Sequence, residues 1–184
     1  LPNLLFLARR DLQTIGAGVV GRRRFMDVSL CQLRPRYAEA LGEYHRLYEH
    51  KTRILRDSEE KPDLLAILPE FNRRMAEMGA VIIHYRSRFA RLLGEYAAAA
   101  HGECSGGREK LEIVYRTVSS VTDPFAELGQ LAGELTRHQE SHAAAELASR
   151  QCLSGPHKDD LEVMLDGRSA KSFASQGQTR TAAL

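Results

Sequence analysis

The residues best suited to chemistry are Ser175, Gln176, Gly177 and Gln178, which stand directly before a segment that could begin a helix. A serine hydroxyl at this position can cap the first helical turn. A glycine allows the backbone to approach an oxyanion closely. The unbonded N–H groups of the first turn attract phosphate. These four residues therefore predict one side of a phosphate-binding site, with an ordinary helix cap as the alternative.

A second polar run precedes this motif and contains two neighbouring carboxylates. Its members are Gly155, Pro156, His157, Lys158, Asp159 and Asp160. Paired carboxylates can bind a metal ion or act as a general base. They are also common in structural ion pairs, and histidine is often a bonded interior residue. We therefore expect structural roles for both aspartates and for His157, with a switch or interface role for the histidine left open.

Three consecutive arginines, Arg22, Arg23 and Arg24, form the strongest basic cluster of the chain. Arginine contacts to phosphate give attraction to nucleic acid that is independent of sequence and sensitive to salt. The cluster therefore predicts a DNA contact. The alternatives are a solvated loop and an internal group of salt bridges.

Composition limits the class of protein. The 184 residues carry 26 Lys and Arg against 24 Asp and Glu, and 43% are hydrophobic, which permits a folded core without general basicity. Three cysteines lack any Cys-x-x-Cys pair, which indicates a reducing compartment and no zinc. No apolar run approaches the roughly 20 residues that span a bilayer. We predict a cytoplasmic protein without membrane contact, metal ligands or catalytic residues of its own.

Long helices must position these motifs. Apolar residues at alternating spacings of three and four predict a helix packed along another helix for about four heptads. They are Leu68, Phe71, Met75, Met78, Ile82, Tyr85, Phe89, Leu92 and Tyr96. Tyr37, Leu41, Tyr44, Tyr48 and Leu55 follow the same rhythm, with Lys51 interrupting it. Pro35 predicts the start of the first helix, and Pro62 or Pro69 the start of the second. The short link between them requires an antiparallel pair.

A third helix is predicted from Asp123 and Pro124 to about Arg150, because aspartate is a favoured N-cap and proline a favoured first residue. Two β-like segments flank it, at 111–118 and 160–173, the second with Asp166 and Gly167 as a hairpin turn. The expected class is α+β and mainly α: an antiparallel bundle or arm of about three long helices, flanked by short strands.

Taken together, the motifs resemble the RecF family. Members typically carry a Gly-Pro-His-basic-Asp-Asp run, a short hairpin and then Ser-Gln-Gly-Gln, in the order found here between Gly155 and Gln178. Residues 22–27 and 78–83 resemble two further family segments. Lys158 replaces a usual arginine, and Thr179 stands where glutamine is common. The resemblance covers nearly the whole chain.

The resemblance implies an SMC-like ABC ATPase head, with residues 1–30 and 154–184 derived from the head and 31–153 forming a helical lobe. It implies ATP and Mg²⁺ as cofactors. It also implies that Ser175, Gln176, Gly177 and Gln178 act as the signature motif, contacting in trans the nucleotide that a second subunit binds, so that ATP drives homodimerisation. The implied partners are DNA at single-strand to double-strand junctions, RecR and RecO, and indirectly RecA.

The sequence contains no P-loop and no Walker B strand. We therefore expect a middle piece of a longer protein, which alone would hold no cofactor and hydrolyse no ATP; whether it is an enzyme stays open. One alternative is a helical interaction module without a nucleotide role. Another is the arm of a different SMC-like protein.

Overall fold

The computed structural model describes residues 18–170 of the chain. Within them lie four α-helices: α1 (Gly18–Leu33), α2 (Pro35–Asp57), α3 (Leu68–Ser105) and α4 (Leu128–Ser149). Three strands, β1 (Leu111–Arg116), β2 (Asp160–Leu165) and β3 (Arg168–Ser169), form one antiparallel sheet in the order β1-β2-β3. The predicted class, mainly helical with short strands, is confirmed. Within residues 18–170, no helix has the length and hydrophobicity that a membrane span requires.

The described residues divide into two compact units. The first comprises 18–33, 86–116 and 160–170, and the second comprises 34–85 and 117–159. The division into head-derived segments at 1–30 and 154–184 and a lobe at 31–153 stays a prediction, and its bounds differ from those of the two units because residues 86–116 cluster with the first unit. The difference arises within α3, since the spacing of its apolar residues continues unchanged past residue 85 and gives no sign of a division.

The second unit is helical. Helix α2 begins at Pro35 as predicted, with proline in the first turn. Helix α3 begins at Leu68, so that Pro69 and not Pro62 marks its first turn, and Pro62–Ile67 instead form a 3-10 helix. The ring of Tyr37 lies 5.9 Å from that of Tyr85. The ring of His50 lies 6.0 Å from that of Phe71, so α2 and α3 run antiparallel.

Helix α4 begins later than predicted. It starts at Leu128, and the expected cap at Asp123 is wrong. The Asp123 carboxylate instead accepts a hydrogen bond from the N–H of Phe125 at 2.9 Å. Aspartate favours such a turn two residues ahead as readily as a helix cap. The helix ends at Ser149 beside the predicted Arg150, which takes the left-handed conformation at φ 55°.

The core of the second unit is formed by side chains with almost no exposure. The largest apolar ones are Tyr37, Tyr44, Leu55, Met75, Ile82, Ile83, Leu131, Leu135 and Pro156. Gly79 lies among them, where an added Cβ would stand 2.9 Å from Leu135 Cδ1 and 3.2 Å from Pro156 Cδ. The absence of a side chain at Gly79 therefore allows α3 to pack closely in this core.

The prediction that the regularly spaced apolar residues of α3 pack along another helix is wrong at the C-terminal end of α3. Leu92 and Tyr96 are 46% and 60% exposed. In the first unit a different face of the helix packs on the sheet, and it uses small residues: Ala97 contacts the buried cluster of Leu111, Val163 and Leu165. A side chain placed on Gly94 would lie 3.5 Å from Ile113.

The sheet of the first unit has a defined register. Strands β1 and β2 pair from Leu111 with Leu165 to Arg116 with Asp160. The turn between β2 and β3 is the predicted Asp166 and Gly167, at φ 49° and 75°. The Asp166 carboxylate accepts a hydrogen bond from the N–H of Lys110 at 2.9 Å, which fixes the turn to the start of β1. The predicted extension of this hairpin to residue 173 lies beyond the described residues.

Candidate functional site

The predicted signature residues, Ser175, Gln176, Gly177 and Gln178, lie outside the described residues. What the structure describes is the approach to them: the hairpin of β2 and β3, followed by Ala170. The second predicted motif, residues 155–160, and the arginine cluster, residues 22–24, are described in full.

His157 is held at both ring nitrogens. Its Nε2 lies 3.0 Å from the carbonyl oxygen of Cys152, and its Nδ1 lies 2.8 Å from Tyr44 Oη. Since a carbonyl only accepts hydrogen bonds, Nε2 carries the proton. In the neutral ring Nδ1 then accepts the hydroxyl proton of Tyr44. The ring centroid also lies 4.7 Å from that of Tyr48. The imidazole therefore attaches the loop between α4 and β2, residues 150–159, to α2.

Gly155 allows the loop to pass close to Tyr44. Its backbone lies at φ 131° and ψ 179°, a region that only glycine adopts readily. A Cβ at this position would stand 2.2 Å from Tyr44 Oη. Pro156 follows and is buried, and Lys158 is exposed. The glycine and proline of the motif therefore serve the packing of the loop.

A buried carboxylate on α4 holds the same loop. Glu146 Oε1 accepts hydrogen bonds from the N–H groups of Leu153 at 2.8 Å and Ser154 at 3.3 Å. Its Oε2 lies 2.6 Å from Lys51 Nζ, and these side chains are 3% and 0% exposed. Lys51 interrupts the apolar spacing of α2 because it faces this carboxylate inside the core.

Ser154 is bonded to α4 through a second contact. Its Oγ lies 2.6 Å from His138 Nδ1, and the His138 ring stacks on His142 with centroids 4.0 Å apart. Burial lowers the pKa of His138 below its ordinary value, and the charge of His142 lowers it further against the opposite effect of Glu146. The neutral imidazole is therefore the form that the fold favours.

The cysteines differ in reactivity. Burial raises the pKa of the Cys152 thiol to about 11, whereas Cys104 is exposed and Cys31 is partly buried. Since the thiolate is the reacting form, we expect an aromatic disulfide reagent at pH 8 to modify Cys104 first and Cys152 only after unfolding. Stopped-flow absorbance in buffer and in denaturant measures this. Rapid modification of Cys152 in a folded Cys31→Ser/Cys104→Ser variant would contradict it.

The two aspartates of the motif have different surroundings. Asp159 is fully buried in the second unit. Asp160 begins β2 in the first unit, and its two oxygens accept hydrogen bonds from Arg22 Nε at 2.9 Å and Nη2 at 2.7 Å. Burial alone would raise the pKa of Asp160, but the hydrogen bonds and charge of Arg22 outweigh it and lower the pKa. Among residues 18–170 no group of three or more His, Cys, Asp or Glu side chains is arranged to hold a metal ion.

The three clustered arginines therefore differ. Arg22 is 7% exposed, with its guanidinium bonded to Asp160, so the alternative of an internal salt bridge describes this residue. Arg23 is partly buried, and Arg24 is exposed. Helix α1, which carries all three, was not predicted. Its buried face contains Arg22 and Ser29 beside Met26, and polar residues on the buried face conceal the apolar pattern.

Sequence reasoning also missed the residues that hold the loop. They are Tyr44, Lys51, His138, Glu146 and Ser154. The partly buried ion pair of the first unit, between Arg86 and Asp27 at 2.8 Å, was missed as well. The available signal was a charged residue at an apolar position of a helix, as at Lys51. Such a position indicates a buried partner of opposite charge.

The chain has clear relatives, although no protein-family model matches it. It is similar to the DNA replication and repair protein RecF of Agathobacter rectalis, with 35% identity over 182 residues, which cover 99% of this chain and 47% of the relative. RecF of Acetivibrio thermocellus is 34% identical over 186 residues, covering 100% of this chain and 50% of the relative. The chain thus spans about half the length of the curated relatives it matches.

Solved structures share the fold. A structure of the recombination mediator protein RecF with ATP, in the RecFOR pathway, matches with a TM-score of 0.84 and 28% sequence identity, covering 95% of this chain and 46% of the other. A RecF structure with ATPrS matches with the same TM-score and identity over 94% of this chain. The similarity therefore extends over both described units.

Proposed function

We propose that this chain, which belongs to the RecF family, is part of a DNA repair ATPase in which ATP joins two subunits. The observation that carries the proposal is the match over 99% of the chain to RecF of Agathobacter rectalis. The matched region includes the buried loop at Gly155, the hairpin and the Ser-Gln-Gly-Gln motif that follows it. The solved RecF structure with ATP supports nucleotide binding by the family.

The proposed role of this chain is to complete a nucleotide site on the second subunit. The Ser175 hydroxyl and the backbone N–H groups at Gly177 and Gln178 provide donors that suit phosphate oxygens. These donors bind the γ-phosphate of ATP held by the P-loop of the other subunit and thereby hold the two heads together. Mg²⁺ accompanies the nucleotide and neutralises part of its charge. No ligand to it is proposed within this chain.

Substituting Ser175→Arg in a full-length protein that carries this chain tests the proposal. The larger, positively charged side chain should abolish ATP-driven dimerisation while each monomer still binds ATP, because the P-loop is unchanged. Light scattering with and without ATP measures the dimer, and a fluorescent ATP analogue measures binding. Ser172→Arg places the same charge just outside the motif and should dimerise normally. Normal dimerisation of the Ser175 variant would contradict the proposal.

DNA contact is proposed for Arg24, which is exposed, and for Arg23, which is partly exposed beside it, whereas Arg22 is buried. Changing both to glutamine should weaken binding to a junction of single-strand and double-strand DNA. It should also reduce the slope of log affinity against log salt by about 1 to 2. Fluorescence anisotropy over a salt series measures the slope.

The control for the DNA test is Arg73→Gln. This exposed arginine is paired with Glu70 and Glu77, so its loss should leave the slope unchanged. An unchanged slope in the Arg23 and Arg24 variant would remove this site from consideration.

The proposed function also implies specific protein partners and a location in the cell. We propose RecR and RecO as partners, which the RecFOR pathway named for the solved RecF structures supports, and the loading of RecA as the outcome. We place the protein in the bacterial cytoplasm, associated with the nucleoid when it binds DNA.

A further inference from the structure

We propose that the link between α2 and α3, residues 58–67, is a docking site for a basic and apolar segment of a partner protein. The link lies in the second unit, where it presents apolar side chains to water beside carboxylates. The inference goes beyond the proposed function, because it requires neither ATP nor the signature motif.

The apolar side chains of the link stay outside the core. The 3-10 helix Pro62–Ile67 contains no buried residue. Leu64 and Leu65 are partly buried, and Ile67 is 45% exposed. Leu64 and Ile67 are three residues apart, so in a 3-10 helix their side chains lie on the same face. Single exposed apolar residues are ordinary, whereas a short element that presents several of them and buries none is typical of a contact with another molecule.

The link is restrained at both ends. Pro62 stands in the first turn of the 3-10 helix and Pro69 in the first turn of α3, and each ring fixes a backbone angle. Glu59 forms an ion pair with Arg150, directly after the last residue of α4. A partner would therefore bind an apolar face that is already arranged, at little cost in conformational entropy.

The charge beside this face is negative. Residues 58–67 carry three carboxylates and one lysine, whereas the whole chain has a net charge of +2. Glu59 is neutralised by Arg150. Glu60 and Asp63 are exposed, and within residues 18–170 neither forms an ion pair.

The arginines near the link do not reverse this charge. Arg56 pairs with Asp57, and Arg73 pairs with Glu70 and Glu77. A partner that covers the link must therefore bring apolar side chains for the exposed face and lysine or arginine for the two unpaired carboxylates. The same carboxylates repel the phosphates of DNA, so we place the link outside the DNA contact.

Peptide binding to the full-length protein tests the inference. The probe is a fluorescent helical peptide with leucines on one face and lysines on the other. Ile67→Ser removes the most exposed large apolar side chain of the link, and Glu60→Lys with Asp63→Lys reverses its charge. We expect each change to weaken peptide binding about tenfold or more, measured by fluorescence anisotropy. ATP-dependent dimerisation should stay the same.

Matched controls carry the same kinds of change away from the link. Phe125→Ser removes a 39% exposed apolar side chain of the same unit. Glu103→Lys with Glu140→Lys changes the net charge by the same amount at two exposed positions. Both controls should bind the lysine peptide as the unchanged protein does. A second peptide, with glutamate in place of every lysine, should not bind.

Photo-crosslinking identifies what occupies the link. Benzoylphenylalanine in place of Ile67 should capture the lysine peptide. Capture of DNA or of a second copy of this chain instead would overturn the inference.

The inference is also overturned if the lysine peptide does not bind, if the glutamate peptide binds equally well, or if the link and control variants bind alike while circular dichroism shows them folded. None of these results affects the proposed function. Normal dimerisation of Ser175→Arg would overturn that function and leave the docking site standing.

Discussion

Replacing Lys51 with methionine is expected to lower the free energy of unfolding by about 3–5 kcal/mol, the usual cost of removing one partner of a buried ion pair. Methionine retains most of the apolar length, so the loss comes from the charge. The Glu146 carboxylate would remain buried, with hydrogen bonds from Leu153 and Ser154 but without its cation. Denaturant unfolding followed by circular dichroism measures the change.

Lys61→Met is the matched control, because Lys61 is exposed between α2 and α3. It should change stability by less than about 0.5 kcal/mol. Adding Glu146→Gln to the Lys51 variant removes the uncompensated charge and should recover part of the loss. A Lys51 variant as stable as the Lys61 control would show that the ion pair does not hold the loop.

Gly155→Ala is expected to have an effect of similar size, about 3–5 kcal/mol, for two separate reasons. The backbone at φ 131° is strained for any residue with a side chain. The new methyl group would also meet Tyr44 Oη at 2.2 Å, so relief would require breaking the hydrogen bond from Tyr44 to His157. Thermal and denaturant unfolding measure the loss.

Two comparisons separate these reasons. Gly106 also has positive φ, at 64°, but in the left-handed region that other residues can adopt, and nothing lies within 4 Å of an added Cβ, so Gly106→Ala should cost less than Gly155→Ala. In a Tyr44→Phe background the clashing oxygen is gone, and the cost of Gly155→Ala should fall. An equal cost in both backgrounds would contradict the close approach to Tyr44.

The elements that sequence predicted well are those with local signals. Pro35 fixes the dihedral angle that starts α2, and Asp166 with Gly167 provides the two positive φ angles of a hairpin turn. The long helix α3 follows from the regular spacing of its apolar residues. These features depend on neighbouring residues only, and the chain displays them directly.

The remaining features depend on contacts distant in sequence. Lys51 is paired with Glu146 within the core, and Arg22 with Asp160 in the other unit. The sequence around Lys51 or Arg22 does not identify which distant residue is its partner. The exposed Tyr96 illustrates the same limit, since α3 changes the face on which it packs without a change in its apolar pattern. Local chemistry predicts a phosphate-binding site at residues 175–178, and the resemblance alone predicts that it is a signature motif.

Mixing two inactive variants tests the central claim most directly. One carries Ser175→Arg, and the other has its P-loop lysine replaced, both in the full-length protein. A mixed dimer contains one site with an intact P-loop from the first subunit and an intact signature motif from the second. We predict that mixing restores ATP-dependent dimers and ATP hydrolysis that neither variant shows alone. Absence of any recovery, with both variants folded, would contradict a signature motif that acts in trans.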